Sequence, residues 1–200
     1  MTDTLPRRRG RPGLDLETVL ERSVALFNER GFDGTSMEDL AQHVGITKSA
    51  IYHHVASKDA LLGLALDRAL SGLEEAAAEV RTMNGSAVDR LESLVRRSVD
   101  VLVERLPYVT LLLRVHGNSS VERDALARRR KLDRFAAGLV KEAIDAGDLR
   151  PDADAAVTAR LLFGMVNSLV EWLRPATKHT ATELADAVTR AAFDGLRAAY

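Results

Sequence analysis

Thr47, Lys48, Ser49, Tyr52 and His53 stand close together in the chain. They are side chains that hydrogen-bond to phosphate oxygens and base edges. From Gln42 to Lys58 there is no Asp or Glu; the ionisable groups are Lys48, Lys58, His43, His53 and His54. A polyanion meets no acid within that window. Arg7, Arg8, Arg9 and Arg11 form a second basic group, interrupted by Gly10, Pro12 and Gly13, which prevent regular structure. Residues 1–14 are therefore expected to be a flexible basic arm, with Arg9 and Arg11 reaching phosphates or a narrow minor groove. The formal net charge is −1, so any nucleic-acid binding must come from local charge rather than a bulk field. His53 and His54 do not suggest a metal: adjacent helical residues point about 100° apart, and no third ligand is near.

These residues need a scaffold, and the flanking sequence supplies one. Leu16, Val19, Leu20, Val24 and Phe27 recur at helical spacing up to Arg30, and Gly31 ends that helix. Thr35 and Glu38 fit a capping box opening a second helix whose inner face is Met37, Leu40, Ala41 and Val44. Gly45 permits a left-handed turn, and Thr47 caps a short third helix to about His54, with Ala50 and Ile51 inward. Two short helices around a glycine turn, the second with polar residues at its N-terminus, form the pattern of a helix-turn-helix DNA reader.

Beyond Ser57 the chain reads as helices throughout. Hydrophobic residues are 46% of the total and aromatics only 4%, which favours helices over a β-sandwich. Helix 4 extends to about Met83, helix 5 covers about Ala87 to Arg105, and a short apolar helix runs from Tyr108 to about Leu113. Helix 7 follows from Ser120 to Ala146, helix 8 ends near Arg174, and helix 9 lies at about Ala181 to Ala199. The fold class is all-α, with an N-terminal three-helix domain over residues 15–56 and a helical ligand-binding and dimerisation domain over 57–200, about nine helices in all. Helix 8 carries apolar residues on more than one face, and helix 9 has Ala187, Ala191, Ala192, Gly195 and Ala199 on neighbouring rows. Both features predict a homodimer through helices 8 and 9. Arg114, His116, Asn118, Asn167, Trp172 and Arg174 are candidate polar groups lining a ligand tunnel, and Arg130 could share a helix face with Arg134 to meet an anion. There is no cysteine, no run long enough to span a membrane and no signal-peptide core, so a cytoplasmic protein with no membrane partner is expected. No cofactor is implied, and no catalytic set surrounds His116, the residue on which a helical enzyme or carrier would rest.

The segments ERGFDGTSMEDLAQHVG and GITKSAIYHHVASKDALL resemble the N-terminal domain of the TetR family of bacterial transcriptional regulators (TetR/AcrR-like). The resemblance covers about Leu16 to Leu62. It implies that Thr47, Lys48, Ser49, Tyr52, His53 and Lys58 touch DNA, with Thr35 and the arm residues completing the set. Val55 departs from it, since the family commonly has phenylalanine there. The implied protein is a repressor that binds a pseudo-palindromic double-stranded operator as a dimer and is released by a small-molecule effector. The Trp172-Leu173-Arg174-Pro175 ending and the basic helix 7 are loosely similar to relatives that regulate lipid, steroid or aromatic-acid catabolism and answer to acyl-CoA thioesters. A regulator of drug efflux or another gene, answering to a different hydrophobic ligand or to a protein partner, is the alternative.

Overall fold

The computed structural model describes residues 14–174 and 178–197, and among them the chain forms nine α-helices. The arm candidates Arg9 and Arg11 lie outside the described residues. The chain divides into two compact units, with the boundary after Leu61.

The first unit contains α1 (Leu16–Arg30), α2 (Met37–Val44), α3 (Lys48–His54) and the start of α4 (Lys58–Thr82). Its helices begin at side-chain caps made by their immediate neighbours. Asp15 accepts from the Thr18 amide at 2.8 Å, and Thr47 accepts from the Ala50 amide at 3.1 Å. The capping box of α2 is Ser36 with Asp39, one residue later than the sequence pattern predicts. Thr35 is free to turn inward as a result: it is 1% exposed, and its hydroxyl donates to the Gly31 carbonyl at 2.7 Å. Val19, Val24, Leu26, Phe27, Leu40, Val44 and Ile51 fill the core of this unit. Leu16, expected on the inner stripe of α1, is exposed instead.

The second unit holds the rest of α4, then α5 (Ala87–Glu104), α6 (Leu106–Arg114), α7 (Ser120–Asp145), α8 (Ala155–Trp172) and α9 (Ala181–Leu196). Pro107 both separates α5 from α6 and sits in the first turn of α6, where a missing N–H costs nothing. The short sixth helix therefore starts earlier than Tyr108. α5 packs against α7, α8 and α9. Charged pairs tie these helices together: Arg128 bonds Glu74 and Asp67 of α4, Arg90 bonds Glu142, and Arg96 of α5 bonds Asp186 of α9. Arg197 reaches Glu92 of α5 at 3.3 Å, and Leu149 pairs with Arg197 in an isolated antiparallel bridge.

Candidate functional site

The turn between α2 and α3 is built by Gly45, at φ 81° and ψ 32°. Its amide and that of Ile46 both donate to the Ala41 carbonyl, closing α2. Arg22 of α1 donates to the Val44 carbonyl at 2.7 Å, satisfying another open carbonyl of the same helix end. With its ends fixed, α3 buries Ile51 completely and leaves Lys48, Ser49, Tyr52 and His53 exposed. Lys48 with Tyr52 and Ser49 with His53 form two adjacent rows at i, i+4 spacing, so they present one polar surface. Thr47 is exposed beside them and keeps its hydroxyl proton available while its oxygen caps the helix.

Two expected contacts are arranged differently. Thr35 is a correction, because its hydroxyl is buried and bonded within the unit. Lys58 is half-buried: its ammonium donates to the carbonyls of Phe32 and Thr35, both at 2.9 Å, and lies 4.2 Å from the Phe32 ring centre. This lysine clasps the loop before α2 to the start of α4. Lys48 pairs with Glu38 of α2 at 3.2 Å, so the window that is free of acid in sequence has a carboxylate beside it in space.

The second unit contains a cavity of roughly 690 Å³, its mouth included. Leu94 and Leu102 of α5, Leu112 of α6, Leu132 and Phe135 of α7 and Val166 of α8 supply much of its apolar wall. Ser98, Arg129, Asp133 and Asn167 supply its polar groups. Ser98 already donates to the Leu94 carbonyl at 2.7 Å, and among the described residues Arg129 has only a long 3.4 Å bond to the Leu112 carbonyl.

Of the seven sequence candidates for ligand contact, only Asn167 lines this cavity. Arg130 is exposed on the helix face that carries Arg134, while Arg129, one helical step of about 100° away, lines the cavity. Trp172 is 49% exposed on α8 and is not among the lining residues. Arg174 donates to the carbonyls of Glu171 and Leu173 at the end of α8. Arg114, His116 and Asn118 are exposed at the bend after α6 and do not line the cavity.

That bend is organised by a carboxylate in the first turn of α7. Glu122 is 3% exposed, and one of its oxygens accepts from the amides of His116, Gly117 and Asn118 at 3.0, 2.7 and 3.1 Å. Burial alone pushes its carboxyl up, but the three N–H groups outweigh that and hold it below its ordinary value. Ser119 to Glu122 has the spacing of a capping box, which was the available signal.

Family models match both units. Residues 19–65 match the bacterial regulatory proteins of the tetR family, and residues 84–196 match a tetracyclin repressor-like C-terminal domain. The chain belongs to the TetR family. A TetR-family regulator from Streptomyces coelicolor A3 is 50% identical, with a TM-score of 0.84, over 90% of this chain and 91% of that one. The transcriptional repressor KstR2 of Mycobacterium tuberculosis is 26% identical over 83% of this chain and 84% of its own length. AibR, solved with isovaleryl coenzyme A and operator DNA, is 28% identical with a TM-score of 0.75, over 89% of this chain and 97% of that one. This TetR protein is thus a DNA-binding transcriptional regulator, and its relatives are regulators rather than enzymes. Among the described residues no helix is long and apolar enough to cross a membrane, and no cluster could hold a metal ion.

Proposed function

We propose that this TetR protein is a cytoplasmic repressor that binds a pseudo-palindromic operator as a dimer and is released by a small hydrophobic effector, an acyl-CoA thioester. The observation that carries the reading is one chain holding both an exposed polar recognition helix and, in its other unit, a half-enclosed apolar cavity. Thr47, Lys48, Ser49, Tyr52 and His53 would meet the major groove, with the N-terminal residues of α3 on base edges. Arg9 and Arg11 would add phosphate or minor-groove contacts. The apolar part of the cavity wall is aliphatic apart from Phe135 and Phe163, which suits an acyl chain better than a flat aromatic drug. The resemblance to AibR supports the same ligand class.

Dimerisation would use α8 and α9. Val157, Leu161, Gly164, Ser168 and Trp172 are exposed along one row of α8, and Ala187, Ala191 and Gly195 are exposed along α9. Leu161 is 65% exposed and Val157 52%. Reading both halves of such an operator requires a dimer that presents its two α3 helices about 34–36 Å apart, one turn of DNA. Both units share α4 along the chain, so an effector that prefers another setting of α4 would weaken operator binding by linkage. The test is a mobility-shift assay on the DNA flanking the gene, with and without acyl-CoA thioesters. Saturable, salt-dependent binding that a thioester reverses supports the reading; absence of any such binding sinks it.

A further inference from the structure

A second cleft of roughly 440 Å³ lies between α7 and α8. Asp133 and Phe163 line both this cleft and the apolar cavity, so the two spaces adjoin. On α8 the lining residues Ala156, Arg160, Phe163 and Asn167 fall at i, i+4, i+7 and i+11, a single helical row. Asn167 is in the cavity and Ala156 in the cleft, while on α7 Arg129 is in the cavity and Ala137 in the cleft. The row on each helix therefore leads from an apolar chamber to an outer one floored by alanines.

The outer chamber is cationic. Arg134 of α7 and Arg160 of α8 both line it, both are exposed, and neither has a hydrogen bond or ion pair among the described residues. Four other arginines of this unit, Arg90, Arg96, Arg128 and Arg150, each hold a carboxylate, whereas these two line a cleft. Two guanidinium groups converging from facing helices without an acid partner match a phosphate, which accepts forked N–H pairs. Asp133 at the junction opposes an anion there, leaving two cations against one carboxylate, while its i, i+4 position relative to Arg129 balances the cavity's own arginine.

We propose that this trough binds an acyl chain joined to a phosphate-bearing head, with the chain in the apolar cavity and the phosphate on Arg134 and Arg160. The assignment rests on the ligand-responsive reading above and names the part of the ligand that the cavity alone does not select. Spacing supplies the selection. Seven residues separate Arg160 from Asn167, about 10 Å along α8. The carboxylate of a simple fatty acid seated in the cavity is met by Arg129, and the outer arginines stay unused.

The test titrates the full-length protein with an acyl-CoA thioester, the matching free acid, coenzyme A alone and lysophosphatidic acid, each at low and high salt. The wild type is expected to bind the phosphate-bearing acyl compounds about tenfold or more tighter than the free acid, with an advantage that shrinks in salt. Preference for the thioester over the lysophospholipid identifies the carrier, and the reverse identifies a lipid. The Arg134→Ala/Arg160→Ala double variant should lose that advantage while retaining free-acid binding, and Arg134→Lys/Arg160→Lys should recover part of it. Thermal unfolding checks that each variant is folded. Equal binding of thioester and free acid by the wild type, or an unchanged advantage in the double alanine variant, overturns the phosphate site. If a thioester releases wild type and double variant from the operator equally, only this site fails. If no acyl compound binds the wild type, the ligand reading fails and takes the site with it.

Discussion

The two units set their site residues in different ways. In the reading unit, the first turns of α1, α2 and α3 are capped locally, through Asp15 to Thr18, Ser36 to Asp39 and Thr47 to Ala50, and Lys48, Ser49, Tyr52 and His53 of α3 face outward. In the body, long-range pairs such as Arg128 to Glu74 join distant helices, and Arg129, Asp133 and Asn167 face a hollow. Local caps fix a surface whose residues are already adjacent in sequence. A cavity needs five helices in place before its lining exists. The difference predicts that substitutions in the reader alter DNA binding directly, whereas those in the body act on assembly, ligand response or acid stability.

The largest effect should come from the body, through the exposed row on α8. Leu161→Glu places a charge in the proposed dimer face, where it would be desolvated and unpaired. Sedimentation should show a monomer, and operator affinity should fall on the order of 10²–10⁴-fold because one half-site can no longer support the other. A variant that stays dimeric moves the interface away from α8. Within the reader, Ile51→Ala removes the fully buried anchor of α3 and should cost about 3 kcal/mol. Calorimetry should record a weakened reading unit with the acyl response of the body intact; loss of both together would mean that the units unfold as one.

Glu122 offers a test confined to the body. Glu122→Ala leaves three part-buried amides without their acceptor and should destabilise by about 2 kcal/mol. Because the folded carboxyl sits below its ordinary 4.5, its stabilisation is complete above that value and is lost as pH falls through the lower folded value. Acid unfolding of the wild type should therefore steepen below about pH 4.5, and Glu122→Gln, which keeps an oxygen acceptor but cannot be ionised, should flatten that limb. Identical acid profiles would show that other carboxylates govern it.

Much of the reader was legible because its determinants are local. Gly45, Thr47 and the spacing of Leu40, Ala41, Val44 and Ile51 specify the turn and the buried face, and the α3 residues then have only one way to point. One residue of register matters at two places: Ser36 rather than Thr35 caps α2, and in the basic run of α7 Arg129 lines the cavity while Arg130 is exposed. In a run of four cations, sequence gives no phase; packing of Leu132 and Ala136 against neighbouring helices sets it. His116 and Asn118 drew notice as polar residues beside apolar helix ends, yet it is their amides that are used, by Glu122. Arg160 carries no signal in the sequence alone, because its meaning depends on Arg134, on another helix.

The smallest expected effect separates the reader's charge in sequence from its charge in space. Lys48 is paired with Glu38, and both are well exposed, so the pair is weak and a phosphate can displace the carboxylate. Lys48→Ala should weaken operator binding and, if the ammonium meets phosphate, lower the slope of log affinity against log salt by about one. Glu38→Gln should do the reverse, strengthening binding roughly two- to fivefold at low salt by removing a competing acceptor, as expected for an exposed pair. Combining them decides whether the carboxylate acts through the lysine. If Glu38→Gln has no effect in the Lys48→Ala background, the two are coupled through their ion pair. An equal gain in both backgrounds would make Glu38 a general repulsion on the DNA and leave Lys48 free of it.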